Sequence, residues 1–150
     1  MIAKAPIAPS VRQQWLQRLW LALQDDNIPY IEALGDYWGE LCANAESASQ
    51  WADEFRPSVE QVSQASGYAY FKGSSAYLSS LYAAGRYEEL LAMLEKPYFS
   101  GWWYRQWGVR ALLALDRKTD ALRYAEDSKK IINTPLAVYD RVNLWAYGIF

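Results

Sequence analysis

Apolar residues recur at helical spacing over most of the chain, with polar or turn-forming residues between the stripes. In the first stripe an apolar side chain comes at every fourth position, and a capping box at residues 10–13 begins it. This pattern predicts a helix that ends near Gln24. The stripe consists of Val11, Trp15, Leu19 and Leu23. Residues 1–9, which contain two prolines, are predicted to form a flexible arm ahead of the helix.

The next two helices are predicted from stripes that contain glycine or proline. Pro29 suits the first position of a second helix. Gly35 and Gly39 in that helix are predicted to let a neighbouring helix approach closely, since each otherwise costs about 1 kcal/mol of helix stability. A second capping box at residues 47–50 begins a third helix. Pro57 is predicted to kink or break it, because the proline ring clashes with the preceding turn.

The middle of the chain repeats itself. Residues 77–129 match at an offset of 31 positions, so that Leu81 falls on Leu112, and each copy contains two apolar stripes joined by a short turn. Self-similarity over roughly 20–50 residues is typical of stacked helical hairpins. The sequence therefore predicts an all-α domain of about seven to nine helices over residues 10–150, either complete or a fragment of a longer solenoid.

The first of these turns carries a family resemblance. Leu81–Leu91, with the sequence LYAAGRYEELL, resembles the turn between the two helices of a tetratricopeptide repeat, and Leu113–Leu122 resembles it less closely. The period is 31 residues here, against about 34 in that family. The resemblance covers about a third of the chain. It implies antiparallel hairpins stacked as an α-solenoid, and an adaptor that holds a peptide or another domain on a concave face.

A last helix is predicted to begin at Thr134 and Pro135, a capping residue followed by proline at the first helical position. Its apolar face indicates either self-association or continuation into a longer solenoid, because a terminal solenoid helix needs a polar outer face to stay soluble. The candidate self-association residues, for a homo-oligomer formed through this C-terminal helix, are Tyr139, Val142, Trp145, Ile149 and Phe150.

Aromatic residues are unusually abundant: eight tryptophans, twelve tyrosines and four phenylalanines. Each needs roughly 150–250 Å² of cover, so we expect some of them to be half-exposed. The densest run, Trp102–Trp107, has two interpretations. It packs between hairpins, as most aromatic residues do, or it anchors a partner, since Trp, Tyr and Arg dominate interface hot spots. The candidate partner-binding residues are Tyr70, Phe71, Trp102, Trp103, Tyr104, Arg105 and Trp107.

Charge and missing residue types narrow the function classes. The net charge is −2 and no Lys/Arg-rich run exists, so we expect no nucleic-acid partner. The chain has no histidine, which excludes imidazole zinc sites and histidine acid–base catalysis. Its single cysteine, Cys42, is expected to be a buried, inert thiol. No run approaches the ~18 apolar residues of a membrane span and the start is not a secretory signal, so we expect a cytoplasmic protein without a membrane partner.

Motifs for catalysis are missing as well. Glu32, Asp36 and Glu40 share a helix at a spacing of four, but no matching carboxylate motif exists for a second helix, which favours a solvated acidic face over a metal site. Lys72–Ser75 lacks the pattern of a phosphate-binding loop. We expect no catalytic residue, metal or cofactor. The sequence favours a non-enzymatic module that binds a protein or peptide; the alternatives are a self-associating piece of a larger helical assembly and, less favoured, a carboxylate–metal enzyme.

Overall fold

The structure, a computed structural model, describes residues 4–25, 31–65 and 69–132. Within these ranges the chain contains helices and no β-strand, which confirms the all-α prediction. In chain order the helices are α1 (Pro9–Gln24), a 3-10 helix (Ile31–Tyr37), α2 (Trp38–Cys42), α3 (Ala45–Gln64), α4 (Ser74–Ala83), α5 (Tyr87–Leu94), a second 3-10 helix (Pro97–Phe99), α6 (Trp102–Ala114) and α7 (Lys118–Ile132).

The chain divides into two compact units, residues 1–89 and residues 90–150. The stacking of the helices as a tetratricopeptide-like solenoid stays a prediction. The predicted last helix lies outside the described residues, and so do its self-association candidates Tyr139, Val142, Trp145, Ile149 and Phe150.

Helix α1 begins at Pro9, and no side chain caps it. Proline suits the first helical position because the amide it lacks would have had no helical acceptor there. Ser10 lies inside the helix, so the capping box predicted at residues 10–13 is wrong.

The inward face of α1 agrees with the prediction in part. Leu23 of the predicted stripe is buried, as is Leu16, which widens it, whereas Val11 and Trp15 are exposed and Arg12 is buried instead. A buried guanidinium needs acceptors for its N–H groups. Arg12 has two backbone acceptors on this side: Nη1 donates to the carbonyl oxygen of Leu41 (3.0 Å) and Nη2 to that of Ala5 (2.8 Å).

The predicted second helix is split into the first 3-10 helix and α2. Its glycines lie against α4, as predicted. A Cβ atom on Gly39 would meet the carbonyl oxygen of Ser79 and come within 2.6 Å of Cβ of Ala83, and one on Gly35 would lie 3.1 Å from Cβ of Ser75. The α2 backbone therefore touches α4 at a distance that no side chain at position 39 allows.

Ser79 completes this contact with two hydrogen bonds. Its hydroxyl accepts from the amide of Gly39 (2.8 Å) and donates to the carbonyl oxygen of Asp36 (3.1 Å). Ser79 is buried, so both backbone groups would otherwise lie without water nearby. A single side chain of α4 thus serves both the 3-10 helix and the start of α2.

Helix α3 begins earlier than predicted. Asn44 is its N-cap, and the side-chain Oδ1 of Asn44 accepts a hydrogen bond from the amide of Ser47 (2.8 Å). The capping box predicted at residues 47–50 is therefore wrong, because those residues already lie inside the helix.

Helix α3 also continues through Pro57, so of the two predicted alternatives, a break and a kink, the break is wrong. Proline removes one helical hydrogen bond and strains the turn before it. Phe55 and Val59, on either side of Pro57, are both buried. Burial of this shared apolar face keeps the two halves in a single helix.

Five rings form the aromatic core of the first unit. Neighbouring centroids lie between 4.9 and 6.4 Å apart, and most of the pairs meet edge to face. Such pairs add about 0.5–1.5 kcal/mol beyond their buried area. The rings are those of Trp20, Trp38, Trp51, Phe55 and Phe71.

The 31-residue repeat is confirmed at the α4–α5 and α6–α7 turns. The amide of Arg86 donates to the carbonyl oxygen of Leu81 (2.9 Å), and the amide of Arg117 donates to that of Leu112 (2.8 Å). This six-residue bond is that of a Schellman helix end. The two turns therefore share one backbone geometry.

The residue at the turn differs between the copies. Gly85 has φ 72° and Asp116 has φ 56°, the left-handed region in which glycine meets no Cβ penalty. An ion pair just after the turn is also repeated. Nε of Arg86 donates to Glu89 (2.8 Å), and Nε of Arg117 donates to Asp120 (2.9 Å).

Replacing Asp116 by glycine is expected to raise the free energy of unfolding by roughly 0.5–1 kcal/mol, because left-handed strain disappears at the cost of some chain entropy. The Lys118–Asp116 ion pair that would be lost is exposed and contributes little. Gly85→Asp should lower the stability by a similar amount. Urea unfolding followed by circular dichroism measures both, and a less stable Asp116→Gly variant contradicts the assignment of strain to this turn.

Gly39→Ala is expected to lower the free energy of unfolding by about 2–3 kcal/mol, because the new methyl group must displace the α4 backbone. Gly35→Ala is the graded control: its Cβ would be 3.1 Å from the nearest atom, so a smaller loss is expected. Urea titration with tryptophan fluorescence compares them. Equal stability of Gly39→Ala and wild type would show that α2 and α4 do not touch in this way.

Candidate interaction surfaces

Helix α6 positions the aromatic run. Gly101 is its N-cap and has no side chain to cap the helix. Trp102 and Trp103 are the first two residues of the helix. Trp102, Tyr104 and Trp107 are buried, whereas Trp103 is 45% exposed. Core packing therefore applies to three of these rings and surface exposure to Trp103; whether any of them binds a partner stays a prediction.

Trp103 lies at the edge of a ring cluster. Its centroid is 6.0 Å from that of Tyr104, which in turn lies 5.1 Å from Phe99 and 6.0 Å from Tyr98. The indole is therefore supported on one side while nearly half of its surface is open to solvent. A supported, exposed ring loses little conformational entropy when it binds.

Arg105, another candidate, is half-buried between α6 and α7. Its guanidinium lies 5.3 Å from the centroid of the Tyr124 ring, and Nη1 donates to Oγ of Ser128 (3.4 Å). Burial raises the pKa of Tyr124 above its ordinary value, and the charge of Arg105 opposes that shift. These contacts give Arg105 a structural task, the joining of α6 to α7.

The outward face of α6 is apolar with one cation. Its exposed positions are Trp103, Arg110, Leu113 and Ala114, which share a helix face because they are spaced by seven, three and one residues. Arg110 lies 4.6 Å above the ring of buried Trp107, a cation–π contact. No acidic residue lies anywhere in α6.

Tyr70 and Phe71, the remaining candidates, belong to the first unit. Phe71 is half-buried against Trp20 and Phe55, at 5.6 and 6.2 Å between centroids, whereas Tyr70 is exposed. That these two residues bind a partner stays a prediction.

The outer face of α1 was missed by the sequence analysis, which expected two of its residues, Val11 and Trp15, to point inward. Val11, Trp15 and Leu21 are exposed there, together with Arg18. A sequence signal did exist. The decapeptide at residues 14–23, QWLQRLWLAL, shares six positions with QWGVRALLAL at 106–115, and the shared Trp-x-x-Arg-x-x-Leu pattern gives an exposed arginine and leucine on both helices.

A charged cluster links α3 to the α4–α5 turn. Arg86 bonds Asp53 (2.9 Å) and Glu89 (2.7 Å), and Arg56 bonds the same two carboxylates (3.2 and 2.5 Å). The hydroxyl of Tyr77 donates to Glu89 (3.4 Å), and its pKa is raised mainly by burial and further by the charge of Glu89. The two cations and the two carboxylates neutralise each other, so we assign the cluster a structural role, the joining of α3 to the α4–α5 turn.

Cys42 and the residues of the predicted acidic face differ in burial. Cys42 is buried, and burial raises the pKa of its thiol to about 12. Asp36 is half-buried and Glu40 exposed, while the side chain of Glu32 lies outside the described part of the chain. Within the described ranges no three His, Cys, Asp or Glu side chains are grouped so that they could hold a metal ion. In the same ranges no helix has the length and apolar character needed to cross a membrane.

The chain was compared with family models, curated proteins and solved structures, and none of them matches it. The tetratricopeptide resemblance accordingly rests on the residues of the two turns alone and stays a prediction.

Because the Cys42 thiol is buried, we expect the protein to lose stability in alkali. The ordinary pKa of the thiol is 9.0 and burial in the folded chain raises it to about 12, so above pH 9 the unfolded chain releases a proton that the folded chain keeps. Stability should therefore fall with rising pH, by about 1.4 kcal/mol for this group between pH 8 and 10. Urea unfolding of wild type and Cys42→Ala at both pH values isolates the effect. The prediction is contradicted if the free energy of unfolding changes with pH by the same amount in wild type and Cys42→Ala and the native thiol reacts rapidly with Ellman's reagent.

Proposed function

We propose that this protein is a non-enzymatic interaction module that binds a segment of another protein on the outer face of α6. The observation that carries the proposal is Trp103, a supported ring that is 45% exposed and begins a face continued by Arg110 and Leu113. Trp, Tyr and Arg are the residue types that dominate interface hot spots.

The shape of this face favours a protein segment over a small molecule. Small-molecule sites are concave and bury most of their ligand, whereas this surface is the outer side of one helix. Its apolar positions follow the helix from the first turn at Trp103 to the last at Leu113 and Ala114. A partner helix or extended segment that runs along α6 would contact all of them. The proposal includes tetratricopeptide-like stacking, supported by the two repeated turns, and a cytoplasmic location, supported by the sequence composition.

Affinity capture from native lysate tests the proposal with a matched pair of variants. Trp103→Ala and Trp15→Ala remove equally exposed indoles, 45% and 44%, from different helices. The partner should be recovered by wild type and Trp15→Ala but lost with Trp103→Ala. With the purified partner, Trp103→Ala should weaken binding by about 2 kcal/mol, roughly 30-fold.

Circular dichroism first establishes that both variants keep the wild-type helix content and melting temperature. Equal recovery of every captured protein by wild type and a folded Trp103→Ala variant would contradict α6 as the binding face. Light scattering on the same samples identifies a contact between two copies of the chain.

A further inference from the structure

The outer face of α1, in the first unit, presents a second exposed apolar surface. Val11, Trp15 and Leu21 are 37, 44 and 65% exposed, and Arg18 is exposed between them. Successive members are four, three and three residues apart, so they lie along one side of the helix. Three large apolar side chains on one side of a 16-residue helix form a contiguous stripe and not isolated surface residues.

The orientation of α1 is fixed by polar contacts on its other sides. The guanidinium of Arg12 is bonded to the carbonyl oxygens of Leu41 and Ala5, and Oε1 of Gln13 accepts from Nε1 of buried Trp51 (3.3 Å). A rotation that turned Trp15 inward would break all three hydrogen bonds. The apolar stripe therefore stays exposed as long as these hydrogen bonds are present.

A polar rim flanks the stripe. Between α1 and α3 lies a cleft of about 100 Å³, and Gln14 and Gln17 are exposed along α1. The cleft is lined by Gln13, Gln17, Gln50, Trp51 and Glu54. An apolar centre beside a polar rim is the usual anatomy of a protein interface.

Charge indicates the chemistry of the occupant. Helix α1 contains Arg12 and Arg18 and no acidic residue, and the first 24 residues of the chain carry no carboxylate side chain. Arg12 is buried against backbone carbonyls, so Arg18 is the cation that the outer face of α1 presents, while Glu54 lies on the α3 side of the cleft. An approaching helix with a carboxylate beside Arg18 and away from Glu54 complements this face.

We propose that the α1 face docks an acidic amphipathic helix of a partner protein. Its apolar side chains pack against Val11, Trp15 and Leu21, and one of its carboxylates pairs with Arg18. Amphipathic helices that bind other proteins carry their apolar anchors at this same helical spacing. The proposal does not rest on binding at α6, which belongs to the other unit.

Two other occupants fit less well. A second copy that docked through the same face would bring two α1 helices together, each with an exposed arginine and no carboxylate. A membrane-surface helix is rich in Lys and Arg on its polar face, whereas the exposed polar positions of α1 are Ser10, Gln14, Gln17 and Gln24 beside a single arginine.

Calorimetry with synthetic helix-forming peptides tests the proposal. The probe peptide has leucine at helical spacing and glutamate at the remaining positions; its controls carry lysine for glutamate, or serine for leucine. The wild-type protein should bind only the glutamate peptide, more weakly as salt is raised. Trp15→Ala should weaken this binding at least tenfold, and Arg18→Glu should reverse the preference in favour of the lysine peptide.

Leu122→Ala, which removes a 63% exposed leucine from α7, is the control variant and should bind the glutamate peptide as wild type does. Trp103→Ala is measured beside it to separate the α1 face from the α6 face. Loss of binding in Trp103→Ala but not in Trp15→Ala would overturn the α1 proposal and support the α6 face. Loss of binding in Trp15→Ala but not in Trp103→Ala supports the α1 proposal, and the α6 proposal is then tested by its own capture experiment. Arg18→Gln, which should only weaken binding, covers the case in which Arg18→Glu fails to fold.

Three further results would overturn the proposal. The first is no measurable binding of the glutamate peptide, or equal binding of the lysine peptide. The second is adsorption to vesicles of phosphatidylserine and phosphatidylcholine that Trp15→Ala abolishes, which would assign the face to membranes. The third is a wild-type dimer in light scattering that Trp15→Ala converts to a monomer, which would assign it to a second copy.

Discussion

The contact between the α2 backbone and α4 determines how the first unit packs. Gly39 leaves no space for a side chain, and the hydroxyl of Ser79 satisfies backbone groups on both sides of the junction. Trp38, directly before Gly39, is fully buried against Trp51 and Phe55. The tryptophan rings of the unit therefore pack directly beside the close contact of α2 with α4. A side chain at position 39 would push these two helices apart.

The orientation of α1 shows how one polar group can decide which face of a helix is buried. Each hydrogen bond from a charged group contributes about 1.5–3 kcal/mol, about as much as complete burial of a large apolar side chain. Arg12 makes two such bonds with buried backbone carbonyls. These bonds offset part of the cost of burying the guanidinium, and they hold Arg12 on the inner side with Leu16 and Leu23 while Val11 and Trp15 stay exposed.

Sequence reasoning succeeded where the interactions are local. The 31-residue offset gave the two turns correctly, because their hydrogen bonds join residues five positions apart. It failed where distant residues decide. The acceptors of Arg12 include Leu41, the split of the second helix depends on α4, and the continuity of α3 through Pro57 depends on a shared buried face. The aromatic run was ambiguous for the same reason, since no local pattern separates exposed Trp103 from buried Trp107.

The two exposed indoles share a physical setting that distinguishes them from scattered surface residues. Trp15 lies on a helix held by the hydrogen bonds of Arg12, and Trp103 on one held by Arg105, which contacts Tyr124 and Ser128. Neither helix can turn its indole inward without breaking contacts of a half-buried or buried arginine. A rotation of its own helix therefore cannot cover either ring while these contacts are present.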